Sequence, residues 1–319
     1  MGTGVDPFHD MRLPVIGAPM RINSSCDLVV ACAQAGIPSA FPSLNPRETE
    51  KLADWLDEIG ERCAASPQSA GKYGVNLVVH QTNSWMEAHL GVVCDKKVPF
   101  VVTSLGAVGE VVDAVHAYGG KVLHDVISRR HAEKAIEAGV DGLVLVSAGA
   151  GGHGGTLNPF AFVAEIREMF DGFIALAGGI GTGAGIAAAR AAGADVAYMG
   201  TRFSGTREAY VPQSYHDALI ASRAGDVVYT DRVSGIHGNF IRQSLAENGV
   251  ALDADVPNYR PSALRSEETK SVWQRVWSAG HGVGSINETI SVAALVDQLE
   301  DEYRHAIARV AGALREAAE

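Results

Sequence analysis

Little in this sequence would tie the chain to a nucleic acid, a membrane or a disulfide scaffold. Basic residues number 26 against 37 acidic ones, a formal net charge of −11. Non-specific nucleic-acid binding needs a basic surface that displaces counterions, so that class is excluded. The balance says less about small ligands, because a site can be locally positive on an acidic protein. No apolar run approaches the roughly 20 residues needed to span a bilayer. The opening segment MGTGVDPFHDMRLP has no basic region followed by an apolar stretch, so no secretory signal is expected. The four cysteines, Cys26, Cys32, Cys63 and Cys94, form no CxxC pair and no zinc-type cluster. Free thiols and no metal site are the expectation, and with them a soluble cytoplasmic protein.

What is present is an ordinary globular composition, 47% apolar and 20% charged over 319 residues. That length suits one large barrel with a small appendage. Short apolar runs without strict alternation occur at 13–18, 38–41, 72–77, 99–103, 121–125, 142–146, 173–177 and 196–199, the pattern of strands covered on both faces. Alanine-rich amphipathic stretches separate them. Gly36, Gly139 and Gly193 each follow such a stretch and precede a strand, where a helix C-terminal cap needs a left-handed residue. Regular strand–helix alternation predicts a parallel sheet, and eight units in about two hundred residues suit a closed α/β barrel of the TIM (β/α)8 type. An open doubly wound sheet is the alternative.

After Phe203 the rhythm breaks. Residues 205–276 are read as a small helical domain inserted after strand 8 and packed over the barrel mouth. Residues 1–204 and 277–319 form the barrel, with a closing helix at 291–318.

The most informative segment is Ser147-Ala-Gly-Ala-Gly-Gly-His-Gly-Gly155, at the C-terminal end of the sixth strand, where barrel enzymes place their sites. Its glycines let a flat ligand approach the backbone, and His153 can serve as acid or base near neutral pH. A flexible glycine loop with a solvent-facing histidine is the competing reading. The GxGxxG match within it lacks an immediately following helix and is discounted as a dinucleotide fingerprint. Ala177-Gly-Gly-Ile-Gly-Thr-Gly183 and Met199-Gly-Thr-Arg-Phe203 end the seventh and eighth strands, the usual phosphate-binding place of this architecture. Gly17-Ala-Pro-Met20, Val75-Asn76 and Trp277-Ser-Ala-Gly-His-Gly-Val-Gly284 add small or polar groups at the rim.

Taken in order, Ile16-Gly-Ala-Pro-Met20, Gly74-Val-Asn76, Ala150-Gly-Gly-His-Gly154, Gly178-Gly-Ile180, Met199-Gly-Thr-Arg-Phe203 and the Trp277 segment resemble the nitronate monooxygenase family. That family, once called 2-nitropropane dioxygenases, also includes FMN-dependent enoyl-acyl carrier protein reductases and certain NADH:quinone reductases. The resemblance implies non-covalent FMN. It places the ring against Ala18, Pro19, Met20 and Asn76, with Asp125, Ser147, Gly151 and Gly152 nearby. It places the phosphate on Gly179, Gly200 and Thr201, with Gly178 and Gly181 lining the turn and Met199 also among the cofactor-binding residues. Ser278, Ala279 and Gly280 border the ring, and His153 matches the catalytic histidine. Two departures stand out. Strand five ends Leu123-His124-Asp125, where relatives often carry Lys or Gln, and either side chain could face the flavin. His281 replaces a frequent Gln and is a candidate second titrating group.

The resemblance implies oxidation of alkyl nitronates with dioxygen to carbonyl compounds and nitrite, with the flavin carrying the redox chemistry. The partners implied are a small-molecule substrate and O2. A homo-oligomer is compatible with the sequence. The alternative is an NAD(P)H-dependent reductase, or an acyl-thioester dehydrogenase whose cleft draws on His237, Asn239, Arg242 and Tyr259 of the insertion. An idle flavin-binding protein is a third reading, disfavoured by the intact His153.

Overall fold

The computed structural model describes residues 6–106, 108–233, 235–252 and 275–316. Eight strands close into a parallel barrel: β1 (Val15–Gly17), β2 (Ser39–Pro42), β3 (Tyr73–Val78), β4 (Phe100–Ser104), β5 (Lys121–Val126), β6 (Gly142–Val146), β8 (Phe173–Ala177) and β9 (Val196–Met199). They hydrogen-bond in that order, and β9 returns to β1 through Val15↔Ala197 and Gly17↔Met199. All eight strand expectations match to within one or two residues. The open-sheet alternative is excluded, because neither edge is left unpaired.

Strand alternation divides the apolar residues into two layers. Ile16, Ala40, Phe100, Val102, Leu123, Val144, Ala175 and Val196 fill the barrel. Val15, Phe41, Val75, Val101, Leu143, Leu145, Ile174 and Leu176 face the helices. The interior is therefore a packed core, as expected for a barrel of eight strands. At its N-terminal end Phe8 stacks on Phe173 (ring centroids 4.8 Å) and leans on Phe100 (5.2 Å), forming a plug.

The helices start where side chains satisfy their first N–H groups. Ser25 caps α1 (Cys26–Gln34), Ser128 caps α5 (Arg129–Glu137), and Asn158 caps α6 (Pro159–Arg167), whose first residue is proline. Gly36, Gly139 and Gly193 all lie at positive φ, at 81°, 82° and 107°. The cysteines are free.

The region after β9 is only partly helical. It contains α8 (Thr201–Ser204), α9 (Gln213–Ala221) and α10 (Arg242–Glu247), but also β10 (Val227–Thr230) and β11 (Gly238–Ile241). These two strands pair with each other, and β11 also pairs with a two-residue strand, β7 (Gly152–His153), in the loop after β6. The expectation of a helical insertion is thus incomplete. Its strands escape a periodicity reading because each has four residues and the third member of the sheet lies some 75 positions earlier. The last helix, α11 (Val292–Glu316), packs on α7 (Gly183–Ala191) and α1. Among the described residues no helix is long and apolar enough to cross a membrane.

Candidate active site

A cavity of about 940 Å3 opens at the C-terminal ends of the barrel strands. It brings together Ala18, Pro19, Met20, Asn76, Asp125, Gly151, Gly152, His153, Gly178, Gly179, Gly200, Thr201, Ser278 and Gly280 from the sequence-derived set. Four others do not line it. Ser147 is fully buried, with its hydroxyl donated to the Ala177 carbonyl. Met199 belongs to the outer layer, because its neighbour Tyr198 takes the inward position on β9. Ala279 is packed in a small core beside Tyr215 and Ile286. Gly181 abuts Gly282 and Ser285.

His153 is held on a strand. It lies opposite Gly238 in the β7–β11 pair, and Gly152 N–H donates to Ser278 Oγ (2.6 Å). Ser278 Oγ donates in turn to the Asn239 carbonyl (2.9 Å), and Asn239 Nδ2 donates to the Ala150 carbonyl (2.6 Å). The glycine-rich loop is therefore anchored on both sides, although the His153 side chain itself remains exposed. His153 lines the cavity and is exposed to it, while desolvation by the surrounding protein lowers its pKa and favours the neutral imidazole.

Alternation separates the two side chains at the end of β5, although both line the cavity. Leu123 lies inside the barrel, so Asp125, two residues on, points to the axis and His124 points outward. His124 Nδ1 and Thr103 Oγ1 are 2.8 Å apart, and burial, then the nearby His131, push the His124 pKa down to about 4. It is neutral at physiological pH and is not the cation that the sequence allowed. Asp125 anchors a short relay in which Asn76 Nδ2 donates to Ser104 Oγ (2.7 Å) and Ser104 Oγ donates to Asp125 Oδ2 (2.6 Å). Burial pushes the Asp125 carboxyl up to about 6, against the opposing pull of the Ser104 hydrogen bond. Its Oδ1 and the hydroxyl of Tyr198 are buried without a hydrogen-bond partner, and both residues line the cavity.

The glycine turns form the opposite wall. Gly178 (φ 132°) and Gly179 (φ 68°) end β8, and a Cβ on Gly178 would collide with the Ser147 hydroxyl. A Cβ on Gly151 would lie 3.0 Å from Gly280 N and 3.1 Å from Thr201 Oγ1. Thr201 Oγ1 accepts from Gly280 N–H (2.8 Å), which leaves the hydroxyl hydrogen for a ligand.

Sequence reasoning missed Tyr198, Ser104 and Arg21. Tyr198 had a usable signal, since a tyrosine inside an otherwise apolar strand needs a partner for its hydroxyl. His281 is exposed and does not line the cavity; its backbone N–H donates to the Gly149 carbonyl (2.9 Å). Of the insertion residues, His237 lines the cavity, Asn239 is structural and Arg242 lies outside it. Tyr259 lies outside the described residues. Among those residues no group of His, Cys, Asp or Glu could hold a metal ion.

Together these features define a (β/α)8-barrel enzyme with its ligand cleft at the C-terminal mouth, walled by backbone on one side and polar side chains on the other. The chain belongs to the nitronate monooxygenase family, whose model matches residues 43–302. It is 29% identical to a nitronate monooxygenase of Paraburkholderia phytofirmans, over 94% of this chain and 95% of that protein. Its fold is similar to that of FabK from Thermotoga maritima (TM-score 0.80, 21% identity, 98% of this chain and 99% of that one). The same holds for a nitroalkane oxidase from Streptomyces ansochromogenes (TM-score 0.79, 23% identity, 96% and 100%).

Proposed function

We propose that the chain is an FMN-dependent nitronate monooxygenase that oxidises alkyl nitronates with dioxygen to carbonyl compounds and nitrite. The observation that carries this reading is the convergence of His153, the Gly178–Gly179 and Gly200–Thr201 turns, and the Asp125–Tyr198 pair on one cavity at the barrel mouth.

The residues present fit a flavin mononucleotide. Bare backbone at Gly151, Gly152 and Gly178 suits the flat face of a tricyclic ring. Asp125 Oδ1 and Tyr198 OH, the orphaned polar atoms, suit the hydrogen-bonding pyrimidine end. The turns after β8 and β9, with the Thr201 hydroxyl, suit a phosphate. When bound, the flavin supplies the electron acceptor that the side chains of this protein lack.

The rest falls to the protein. His153, neutral and fixed on β7, donates one ring N–H to a nitro oxygen and so orients an anionic nitronate. Towards a neutral nitroalkane the other ring nitrogen takes the α-proton, a role for which a pKa below the usual histidine value is compatible with neutral pH. Ile236, His237 and the Trp277 segment line the cavity on the insertion side. Trp277 stacks on Tyr215 with ring centroids 5.2 Å apart and planes 7° from parallel.

The reading is tested by purifying the protein, recording its absorbance for a bound flavin, and measuring nitrite released from ethyl nitronate in air. A colourless protein that takes up no added FMN, or a yellow one that releases no nitrite, overturns it.

A further inference from the structure

Beyond the ring-binding floor, the cavity has an outer compartment facing the loops after β1 and β2. Arg21, Ile22, Leu44, Tyr210 and Pro212 line it. Its aromatic member is open to solvent, with Tyr210 73% exposed. Nothing in the nitronate reaction itself calls for this surface.

Charge in the cavity runs against that of the molecule. The protein carries −11, yet among the described lining residues the one carboxylate is Asp125, deep at the barrel axis, while Arg21 and Lys134 are permanent cations. Arg21 has no ion pair among the described residues, and its nearest charged influence is another cation, Arg47. Arg21 is solvent-exposed, and the surrounding protein, then Arg47, lower its pKa with no acidic group acting the other way.

The loop that presents Arg21 is fixed at a cost. Ile22 lies at φ 71°, a left-handed conformation that a β-branched residue rarely adopts. Asn45 holds it there: its Oδ1 accepts from Ile22 N–H (2.9 Å), and its Nδ2 donates to the carbonyls of Met20 (3.1 Å) and Ser24 (2.9 Å). Tyr210 N–H donates to the Asn23 carbonyl (2.9 Å), which joins the aromatic wall to the same loop. Strain of this kind is retained where a side chain must be aimed.

We infer that this compartment binds the distal part of the substrate, an apolar body of several carbons ending in an anionic group, carboxylate or phosphate, that pairs with Arg21. The planar guanidinium takes either oxyanion through two parallel N–H donors. Lys134, in the last turn of α5, has no such pre-organised loop beneath it. The inference rests on the same cavity being the substrate cleft, and it makes the preferred substrate larger than a simple nitroalkane.

Titration calorimetry of the purified full-length protein with octanoate, octyl phosphate, octanol and butanoate tests this. Octanoate or octyl phosphate, or both, should bind at least about tenfold more tightly than octanol and butanoate. Arg21→Met should remove that advantage while leaving octanol binding unchanged, and Lys134→Met should leave it intact. The ranking of the two anions identifies the terminal group. Equal binding of anions and octanol, no dependence on chain length, or loss in Lys134→Met rather than Arg21→Met would overturn the inference. Calorimetry needs no flavin colour, so a colourless protein that binds octanoate through Arg21 would keep this inference while removing the flavin reading.

Discussion

Ser104 Oγ donates a 2.6 Å hydrogen bond to Asp125 Oδ2, and the other carboxylate oxygen, Oδ1, is left buried at the cavity floor with no partner. A carboxylate in that position is expensive in the ligand-free protein. Its pKa is raised to about 6 from 3.8, so the folded state holds the proton more tightly than the unfolded chain. Stability then falls as pH rises from about 4 to about 6, by a total on the order of 3 kcal/mol. Asp125→Asn keeps an acceptor for Ser104 and removes the charge. Thermal denaturation of the flavin-free variant at pH 8 should show a higher midpoint than the parent, and at pH 4 the difference should shrink.

The same charge acts on a bound flavin. An ionised Asp125 beside the ring disfavours the more electron-rich reduced form. Spectroelectrochemical titration at pH 8 should therefore place the midpoint potential of Asp125→Asn above that of the parent, by about 30 mV for each tenfold change in the two-electron equilibrium. An unchanged potential would show that Asp125 does not face the ring.

His153→Asn should lower kcat/KM for a neutral nitroalkane by about 10²–10⁴-fold, the usual contribution of a positioned base. The loss with a preformed nitronate should be smaller, because no proton has to be removed. Since the base must be unprotonated and its pKa is lowered, activity with nitroalkanes should decline only as pH falls below the ordinary histidine range. Initial rates from pH 5 to 9 with both substrate forms check the two statements together.

Gly280 lies where a side chain cannot go. A Cβ there would meet the Gly149 carbonyl oxygen and would come within 2.8 Å of Gly151 N, and both are backbone atoms of the wall. Gly280→Ala should displace the His153 loop and lower flavin retention on gel filtration. Arg167 offers the contrast at the other end of the barrel. It pairs with Asp195 (2.5 Å) and donates to the carbonyls of Gly193 (2.8 Å) and Gly172 (2.6 Å), tying α6 to the strand starts. Arg167→Ala should lower the denaturation midpoint, with a cost of about 1–3 kcal/mol, and leave kcat of the folded enzyme unchanged.

How far the sequence could be read differs between parts of the molecule. The barrel strands were legible because each is a short apolar run bounded by a cap or a glycine turn, and both signals are local. The wall glycines were legible because motif and architecture coincide at the ends of the sixth, seventh and eighth barrel strands. Met199 was assigned to the site and Tyr198 overlooked, yet Tyr198 takes the inward position on β9 and Met199 the outer one, a parity that the short strand alone does not show. The β7–β11 pairing was illegible for another reason: the backbone bonds that hold His153 in place come from Gly238, which carries no side-chain signal. The orphaned atoms of Asp125 and Tyr198 depend on burial at the barrel axis, a property of the closed sheet that neither strand shows alone.

The central claim, that this cavity oxidises nitronates on a bound flavin, is tested most directly by anaerobic stopped-flow mixing of the flavin-loaded protein with ethyl nitronate, and separately with NADH and NADPH. The account predicts rapid bleaching of the flavin absorbance with nitronate alone, and its recovery when air is admitted. Bleaching by a nicotinamide but not by nitronate would contradict it and assign the chain to the reductase branch of chemistry instead.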